Sequence, residues 1–158
     1  MRVGIGYDIH RFGSDKELIL GDVKIEHDEG LLAHSDGDVL LHSIMDALLG
    51  AAGLGDIGTL FPPTDAKYKD AKSTKLLSQV LERLTAEKWE IENIDCNIIA
   101  QKPKLSTYQQ AISKNVADLL NIDKNRVNIK IRSNENLDAV GEGKAIAVQA
   151  VALIKRIQ

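Results

Sequence analysis

The sequence predicts an α+β domain (an α/β mixed fold), with a mostly mixed β-sheet, a small hairpin and helices packed on one face. Two observations support this prediction. The chain has 158 residues, 44% hydrophobic and 27% charged, which is typical of one globular domain with an ordinary core. Segments with the periodicity of strands also alternate with segments of helical periodicity along the chain. We therefore treat residues 1–158 as a single domain.

The first third of the chain is expected to contain a strand, a hairpin and a helix. Residues 3–8 alternate between apolar and small or polar side chains, which is the period of a strand. Residues 18–25 contain two short apolar runs around a Gly-Asp pair, which predicts a hairpin. A helical pattern begins at Asp36, the candidate N-cap, and ends near Gly50 or Gly53.

The rest of the chain is expected to begin with a loop and to end with a buried strand. Residues 53–65 are rich in Gly, Pro and Asp, and a loop of this length is usually functional. The last apolar run, residues 145–157, fits the period of a helix as well as that of a strand. We assign it to a buried strand because apolar residues occupy both faces and β-branched residues are frequent. Between them, two amphipathic helices and two strands are predicted: helices over 76–84 and 108–119, strands over 94–100 and 127–131.

Charge, hydropathy and cysteine content exclude several functional classes. The net charge of -3, without a basic cluster, argues against nucleic acid as the main partner. No apolar stretch approaches the roughly 20 residues that cross a bilayer, and the first residues have no signal-peptide character. The single cysteine, Cys96, cannot form an internal disulfide, which fits a reducing compartment. We expect no nucleic-acid or membrane partner and a cytoplasmic location.

Asp8, His10 and His42 form a candidate metal site. Asp8 and His10 lie two residues apart on the predicted strand, so their side chains leave the same face. His42 lies on the predicted helix and could supply a third ligand. One carboxylate and two imidazoles suit Zn²⁺, and three protein ligands leave a fourth position for substrate or water. Other divalent transition metals also bind such a set.

Simpler interpretations of these residue types stay open. An Asp at a strand end often caps a turn, and a helical His often packs in the core or lies at the surface. The histidines are concentrated near the start of the chain, however, which favours a site. Asp38, His42 and Asp46 are spaced four apart and share a helix face. Asp38 or Asp46 could therefore orient the His42 ring, and an acidic solvated face with an N-capping Asp is the alternative.

Six longer motifs bear on function. They are DIH at 8–10, HSDGDV at 34–39, DALLGA at 46–51, GDIG at 55–58, FPPTD at 61–65 and AQKPKL at 100–105. Together, and in this order over essentially the whole chain, they resemble the 2-C-methyl-D-erythritol 2,4-cyclodiphosphate synthases of the non-mevalonate route to isoprenoid precursors. The resemblance implies conversion of 4-diphosphocytidyl-2-C-methyl-D-erythritol 2-phosphate into a cyclic diphosphate, with release of CMP. The 2-phosphate of this small-molecule cytidine diphosphate derivative attacks its own β-phosphorus.

The resemblance also implies an assembly, two cations and two catalytic residues. The enzyme would be a homotrimer with active sites between subunits. Zn²⁺ would bind at the three-residue site, and Mg²⁺ or Mn²⁺ would bridge the substrate phosphates and bind Glu135, which as an oxygen ligand suits that ion. His34 would stabilise the transition state. Ser133, where the family usually has threonine, would bond a phosphate oxygen.

The same resemblance implies a set of substrate contacts. His34 and Ser35 would contact the methylerythritol phosphate portion, and Asp56 and Gly58 the sugar hydroxyls. Residues 100–106, including Lys104, would line the cytidine pocket with the backbone of 131–133. The expected substrate contacts are Asp8, His10, His34, Ser35, Asp56, Ile57, Gly58, Phe61, Pro62, Pro63, Thr64, Asp65, Ala100, Lys104, Leu105, Ser106, Arg132, Ser133, Asn134 and Glu135.

Two segments depart from the family pattern. Residues 131–135 read Ile-Arg-Ser-Asn-Glu instead of a run of threonines, so Arg132 could alter the nucleotide pocket. Glu142 and Lys144 stand near the C-terminus where many members have arginine and then glutamate, so we predict no residue for an isoprenoid diphosphate site on a trimer axis. Two other functions stay open: a non-catalytic trimeric module that binds nucleotides or isoprenoid diphosphates, and a zinc phosphoesterase that releases inorganic phosphate.

Overall fold

A five-stranded mixed sheet forms the centre of the molecule, and a separate two-stranded hairpin lies beside it. The structure is a computed structural model that describes residues 1–62, 64–68 and 71–157. Its strands are β1 (Arg2–Ser14), β2 (Leu18–Leu20), β3 (Val23–Ile25), β4 (Gly30–Leu31), β5 (Trp89–Ile99), β6 (Val127–Arg132) and β7 (Ala145–Arg156). The sheet has the order β4-β1-β7-β5-β6, and within it β5 and β6 pair in parallel while the other neighbours are antiparallel.

Helices cover the sheet and enclose the core. They are α1 (Val39–Ala52), α2 (Ile57–Leu60), α3 (Ser73–Ala86), α4 (Gln109–Leu120) and α5 (Asp138–Gly141), with short 3₁₀ turns at Ala66–Tyr68 and Lys124–Arg126. α1 packs against β1 and β7, α3 against α1 and β5, and α4 against β6. This arrangement confirms the predicted fold class. No helix within the described part of the chain is long and apolar enough to cross a membrane.

The predicted ends of α1 are partly correct. Asp38, and not Asp36, is the N-cap: its carboxylate accepts the backbone N–H of Leu41 at 3.0 Å. Gly37, with a φ of 81°, lies between the two aspartates in the left-handed conformation, so the helix cannot extend back to Asp36. Gly53 ends the helix in the same conformation, as predicted, and its N–H donates to Gly50.

One predicted loop contains a helix, and the run of ambiguous periodicity forms a strand. The segment 53–65 is not a loop throughout, because it contains α2, whose N-cap Asp56 accepts the N–H of Thr59 at 2.7 Å. The ambiguous run after residue 145 is strand β7, as predicted, and its first four residues are all buried. Burial on both faces explains why its apolar residues do not alternate.

The apolar side chains in the first half of β1 face away from the helices, whereas Phe12 near its end is buried in the core. Val3 and Ile5 are 67% and 70% exposed, whereas Gly4 and Gly6 lie directly beneath α1. A Cβ atom on Gly6 would lie 1.9 Å from the carbonyl oxygen of Ser43 in α1. The helix therefore approaches the backbone of β1 so closely that the face of the strand beneath it is built from small residues.

Candidate metal centre and adjoining cavity

The three predicted metal ligands come together where β1 and α1 face each other. Asp8 and His10 lie on the face of β1 that is directed at α1, and His42 lies on the first turns of that helix. Oδ2 of Asp8 is 3.0 Å from Nε2 of His10 and 3.0 Å from Nδ1 of His42. One ligand atom from each residue lies within 4.8 Å of the other two. The sequence prediction that these side chains form one cluster is confirmed.

The donor set of this cluster fits a divalent metal ion. One carboxylate oxygen and two imidazole nitrogens suit Zn²⁺. Nε2 of His10 and Nδ1 of His42 both approach Oδ2 of Asp8. A cation bound by these three atoms would take the place of the protons on the two ring nitrogens. The buried Nδ1 of His10 has no hydrogen-bond partner among the described residues. His10 and His42 also meet edge to face, with ring centroids 5.2 Å apart, so both rings are confined.

Serine hydroxyls, and not the predicted carboxylates, contact the outer nitrogen of His42. Nε2 of His42 lies 3.1 Å from Oγ of Ser35 and 3.1 Å from Oγ of Ser73. Asp38 is occupied elsewhere, since its carboxylate accepts three backbone N–H groups of residues 21, 22 and 41. Asp46 accepts the N–H of residue 57 at 2.8 Å. The hypothesis that either aspartate orients the His42 ring by a direct hydrogen bond is therefore replaced by contacts from Ser35 and Ser73.

Burial and charge shift the pKa values of this cluster in opposite directions. Burial raises the pKa of the Asp8 carboxyl, but hydrogen bonds and charge from His10 and His42 together outweigh burial and hold it far below its usual range. Burial lowers the pKa of His42, yet the hydrogen bond and charge of Asp8 raise it overall. Burial raises the pKa of Asp38 to about 6, although hydrogen bonds from three backbone N–H groups act to lower it. Burial also raises the pKa of Asp46. The Asp8 carboxylate therefore stabilises the protonated form of His42, 3.0 Å away.

A cavity of about 500 Å³ opens beside the cluster. Its walls contain several of the expected substrate contacts and a set of apolar side chains. The lining residues are His10, Leu32, Ala33, His34, Ser35, His42, Ile57, Gly58, Phe61, Thr64, Tyr68 and Leu76. Asp56, Pro62 and Asp65 belong to the same chain segment but not to this lining, and Pro63 lies outside the described residues. A metal ion at the cluster would face a largely apolar pocket.

Three of the remaining expected contacts line a second cavity of about 450 Å³. Arg132, Ser133 and Asn134 line it, together with residues of β5 and β6. The Ser133 hydroxyl donates to Oε1 of Glu135 at 2.6 Å, and both side chains are exposed. The segment 100–106 begins beside this cavity, because Ala100 N–H donates to the carbonyl of Arg132 at 2.9 Å; Leu105 is buried, whereas Lys104 and Ser106 are exposed. Neither cavity has a lining residue in common with the other.

Sequence comparison finds close relatives over the whole length. A protein of Treponema denticola is 51% identical over 154 residues, which are 98% of this chain and 96% of that protein. A protein of Lachnospira eligens is 52% identical over 157 residues, 99% of this chain and 86% of that protein. Both are named 2-C-methyl-D-erythritol 2,4-cyclodiphosphate synthase, which agrees with the resemblance of the sequence motifs.

Solved structures give the same result. IspF of Plasmodium falciparum, determined as a CDP complex, matches with a TM-score of 0.87 and 40% identity, over 99% of this chain and 97% of that chain. The bifunctional IspDF of Campylobacter jejuni matches with a TM-score of 0.95 and 44% identity, over 99% of this chain but only 42% of that longer chain. The model of the YgbB family matches residues 1–155. This match, in agreement with the fold and the Asp-His-His cluster, shows that the chain belongs to the YgbB family.

Proposed function

We propose that this chain is a 2-C-methyl-D-erythritol 2,4-cyclodiphosphate synthase of isoprenoid biosynthesis. It converts 4-diphosphocytidyl-2-C-methyl-D-erythritol 2-phosphate into the cyclic diphosphate and CMP. The observation that carries this proposal is the Asp8, His10 and His42 cluster at the wall of a cavity that is also lined by His34 and Ser35. The cytoplasmic location and the lack of nucleic-acid or membrane partners remain predictions.

The reaction requires little covalent chemistry from the protein. The nucleophile is a phosphate of the substrate, so the enzyme must align attacking and leaving groups and stabilise negative charge. His34 and Ser35 stand at the cavity wall, where they can donate hydrogen bonds to phosphate oxygens. Leu32, Phe61 and Leu76 give the cavity apolar walls, which would limit the access of water once substrate is bound. Exclusion of water favours cyclisation, because water would otherwise compete with the substrate's own phosphate.

Two cations complete the proposed site. Asp8, His10 and His42 would hold Zn²⁺, which when bound would act as a Lewis acid toward a β-phosphate oxygen. Glu135 would bind Mg²⁺ or Mn²⁺, which would neutralise negative charge on the substrate phosphates. The hydroxyl of Ser133 donates to the Glu135 carboxylate at 2.6 Å, and it could turn to a phosphate oxygen once a cation occupies that carboxylate.

We also propose that the active protein is a homotrimer with sites between subunits. Two features support this. The expected substrate contacts divide between two cavities of one chain, so a neighbouring subunit would bring the second group to the first. The sheet also exposes an apolar face on β1, on which Val3, Ile5 and Tyr7 are more than half exposed. A soluble monomer rarely exposes such a patch, and symmetric association would bury it.

Product analysis tests the reaction. With Zn²⁺ and Mg²⁺ present, the protein should release CMP, and phosphorus NMR should show the cyclic diphosphate without inorganic phosphate. Chelation should abolish turnover, and His42→Ala should lower kcat/KM by at least about 100-fold because a charge-stabilising centre is lost. His27→Ala is the matched control, because that ring packs edge to face on Phe12 and does not line the cavity.

The alternatives predict different products. A zinc phosphoesterase would release inorganic phosphate, and a binding module would leave the substrate intact. Neither is favoured, since the relatives with about half of their residues identical carry the synthase name. Failure of the metal-loaded protein to release CMP would refute the proposed activity.

A further inference from the structure

The hydroxyl of Ser73 lies between the His42 ring and the carboxylate of Asp36. Ser73 is the first residue of α3 and is fully buried. Its Oγ lies 3.1 Å from Nε2 of His42 and donates a hydrogen bond to Oδ1 of Asp36. Its backbone N–H donates to the other oxygen of the same carboxylate at 2.9 Å. Asp36 therefore fixes Ser73 through both its backbone and its side chain.

The direction of these hydrogen bonds selects one form of the His42 ring. A serine hydroxyl has one hydrogen, and Ser73 gives it to Asp36. The oxygen of Ser73 is thus left to accept, so the hydrogen between Ser73 and His42 belongs to Nε2 of the ring. A neutral imidazole with hydrogen on Nε2 has its lone pair on Nδ1, the nitrogen that lies 3.0 Å from Asp8. We propose that Ser73 and Asp36 are positioning residues that hold His42 in its metal-binding form.

Ser35 touches the same nitrogen but is differently placed. Its Oγ also lies 3.1 Å from Nε2 of His42. Ser35 lines the large cavity, where we expect it to contact the substrate, whereas Ser73 does not line that cavity. The contact from Ser73 is therefore the one that can hold the ring independently of substrate. These two separate roles explain why the hydroxyls of Ser35 and Ser73 both contact Nε2 of His42.

This inference rests on the proposed metal site but not on the proposed reaction, so metal affinity is the appropriate measurement. The dissociation constant for Zn²⁺ alone is determined by competition with a chromophoric chelator. Ser73→Ala should weaken binding by about 10- to 100-fold, the usual effect of removing a partner of a metal-bound histidine. Ser43→Ala is the matched control. Ser43 is also fully buried and adjoins His42, but its hydroxyl donates to the carbonyls of Val39 and Val148.

Two further comparisons separate hydrogen bonding from packing. Ser73→Thr keeps the hydroxyl, and Ser73→Val replaces it with a side chain of nearly the same shape as threonine but without a hydroxyl. The threonine variant should therefore bind Zn²⁺ more tightly than the valine variant. Asp36→Ala should weaken binding, and combining it with Ser73→Ala should add little, because both changes remove the same contact. In the zinc-loaded wild type, nitrogen-15 NMR should place the ring hydrogen of His42 on Nε2.

Each contrary result has a distinct meaning. A wild-type protein that does not bind Zn²⁺ would overturn the metal site itself. Normal binding by the wild type and unchanged binding by Ser73→Ala would overturn the positioning role alone. An equal loss in Ser43→Ala and Ser73→Ala would show that the loss reflects general damage to the fold, and it would overturn the positioning role as well.

Discussion

At the scale of single residues, the Asp8 carboxylate stabilises the protonated form of His42. Burial alone would lower the pKa of the His42 ring, but the Asp8 carboxylate 3.0 Å away raises it overall. Metal binding needs a neutral imidazole, so in this cluster a proton competes with the metal ion for the same nitrogen. The residue that we propose binds the metal together with His42 also raises the pKa of that ring.

Titration of the metal-free protein tests this coupling. The raised pKa of His42 stabilises the folded state fully below the unfolded-state pKa of histidine, and the contribution is lost as the pH rises through the folded-state pKa. The free energy of unfolding should therefore fall over that pH range, provided Asp8 is ionised, as its lowered pKa ensures. Asp8→Asn should lower the pKa of His42 in an NMR titration and flatten this dependence. An unchanged His42 titration in that variant would contradict the assignment.

The clustering of the three candidate metal ligands could be predicted from the sequence, whereas the residues that contact them could not. Asp8 and His10 share a strand face by spacing alone, and His42 joins them because β1 and α1 pack together. Ser73 is 31 positions from His42, and nothing in the local pattern links α3 to that ring. Asp36 was predicted as a helix cap for its residue type, but the left-handed Gly37 separates it from the helix and leaves it to bind Ser73.

At the scale of elements, the contact between β1 and α1 sets the geometry of the proposed metal centre. Cβ atoms on Gly4 and Gly6 would lie 2.0 Å and 1.9 Å from carbonyl oxygens of α1. The two backbones thus pack directly on each other. Asp8 and His10 continue the same face of β1 beyond the glycines. This brings Asp8 within hydrogen-bond distance of His42 on the helix and places the His10 ring edge to face with the His42 ring.

A side chain on this strand should disturb both the fold and the site. Gly6→Ala places a methyl group against rigid backbone, so we expect a loss of about 3 kcal/mol in the free energy of unfolding, the upper end of the usual cost of overpacking. Zn²⁺ affinity should fall as well, because α1 must move away from Asp8. Urea unfolding and chelator competition measure the two effects.

Gly50→Ala is the control for that substitution. Gly50 lies in α1 near its C-terminal end, and the nearest atom to an added Cβ is 4.0 Å away. We expect unchanged Zn²⁺ affinity and a neutral or stabilising effect of up to about 1 kcal/mol from better helix propensity. Equal stability of the Gly6 and Gly50 variants would refute the close-packing argument.

The sequence could predict the elements better than the faces they present. Alternation in residues 3–8 predicted a strand, and β1 is one. The usual interpretation of alternation would direct Val3, Ile5 and Tyr7 into the core, yet they are exposed. The reversal has a physical cause: a helix that approaches a strand at backbone distance leaves no room for large side chains, so the glycines face inward. α2 was not predicted because one turn of helix is too short to produce a periodic pattern in the sequence.

At the scale of the whole molecule, the expected substrate contacts that line cavities fall into two groups. One group surrounds the Asp8, His10 and His42 cluster, and the other adjoins Arg132 and Ser133 at the end of β6. The family resemblance could supply the residues but not this division, which depends on the tertiary structure. An exposed apolar sheet face on β1 offers a surface through which copies of the chain can associate. Assembly would then join a metal half-site to a nucleotide half-site.

Mixed trimers provide the test of that arrangement. His42→Ala and Glu135→Ala are co-expressed with different tags, and trimers that contain both are isolated by two affinity steps. If each site takes His42 from one subunit and Glu135 from its neighbour, every mixed trimer has one intact site out of three, so activity should recover to about a third of wild type. Trimers of His42→Ala carrying both tags give the background. If both residues served a site within one subunit, the mixed trimers would stay at that background, and the proposal of sites between subunits would fail.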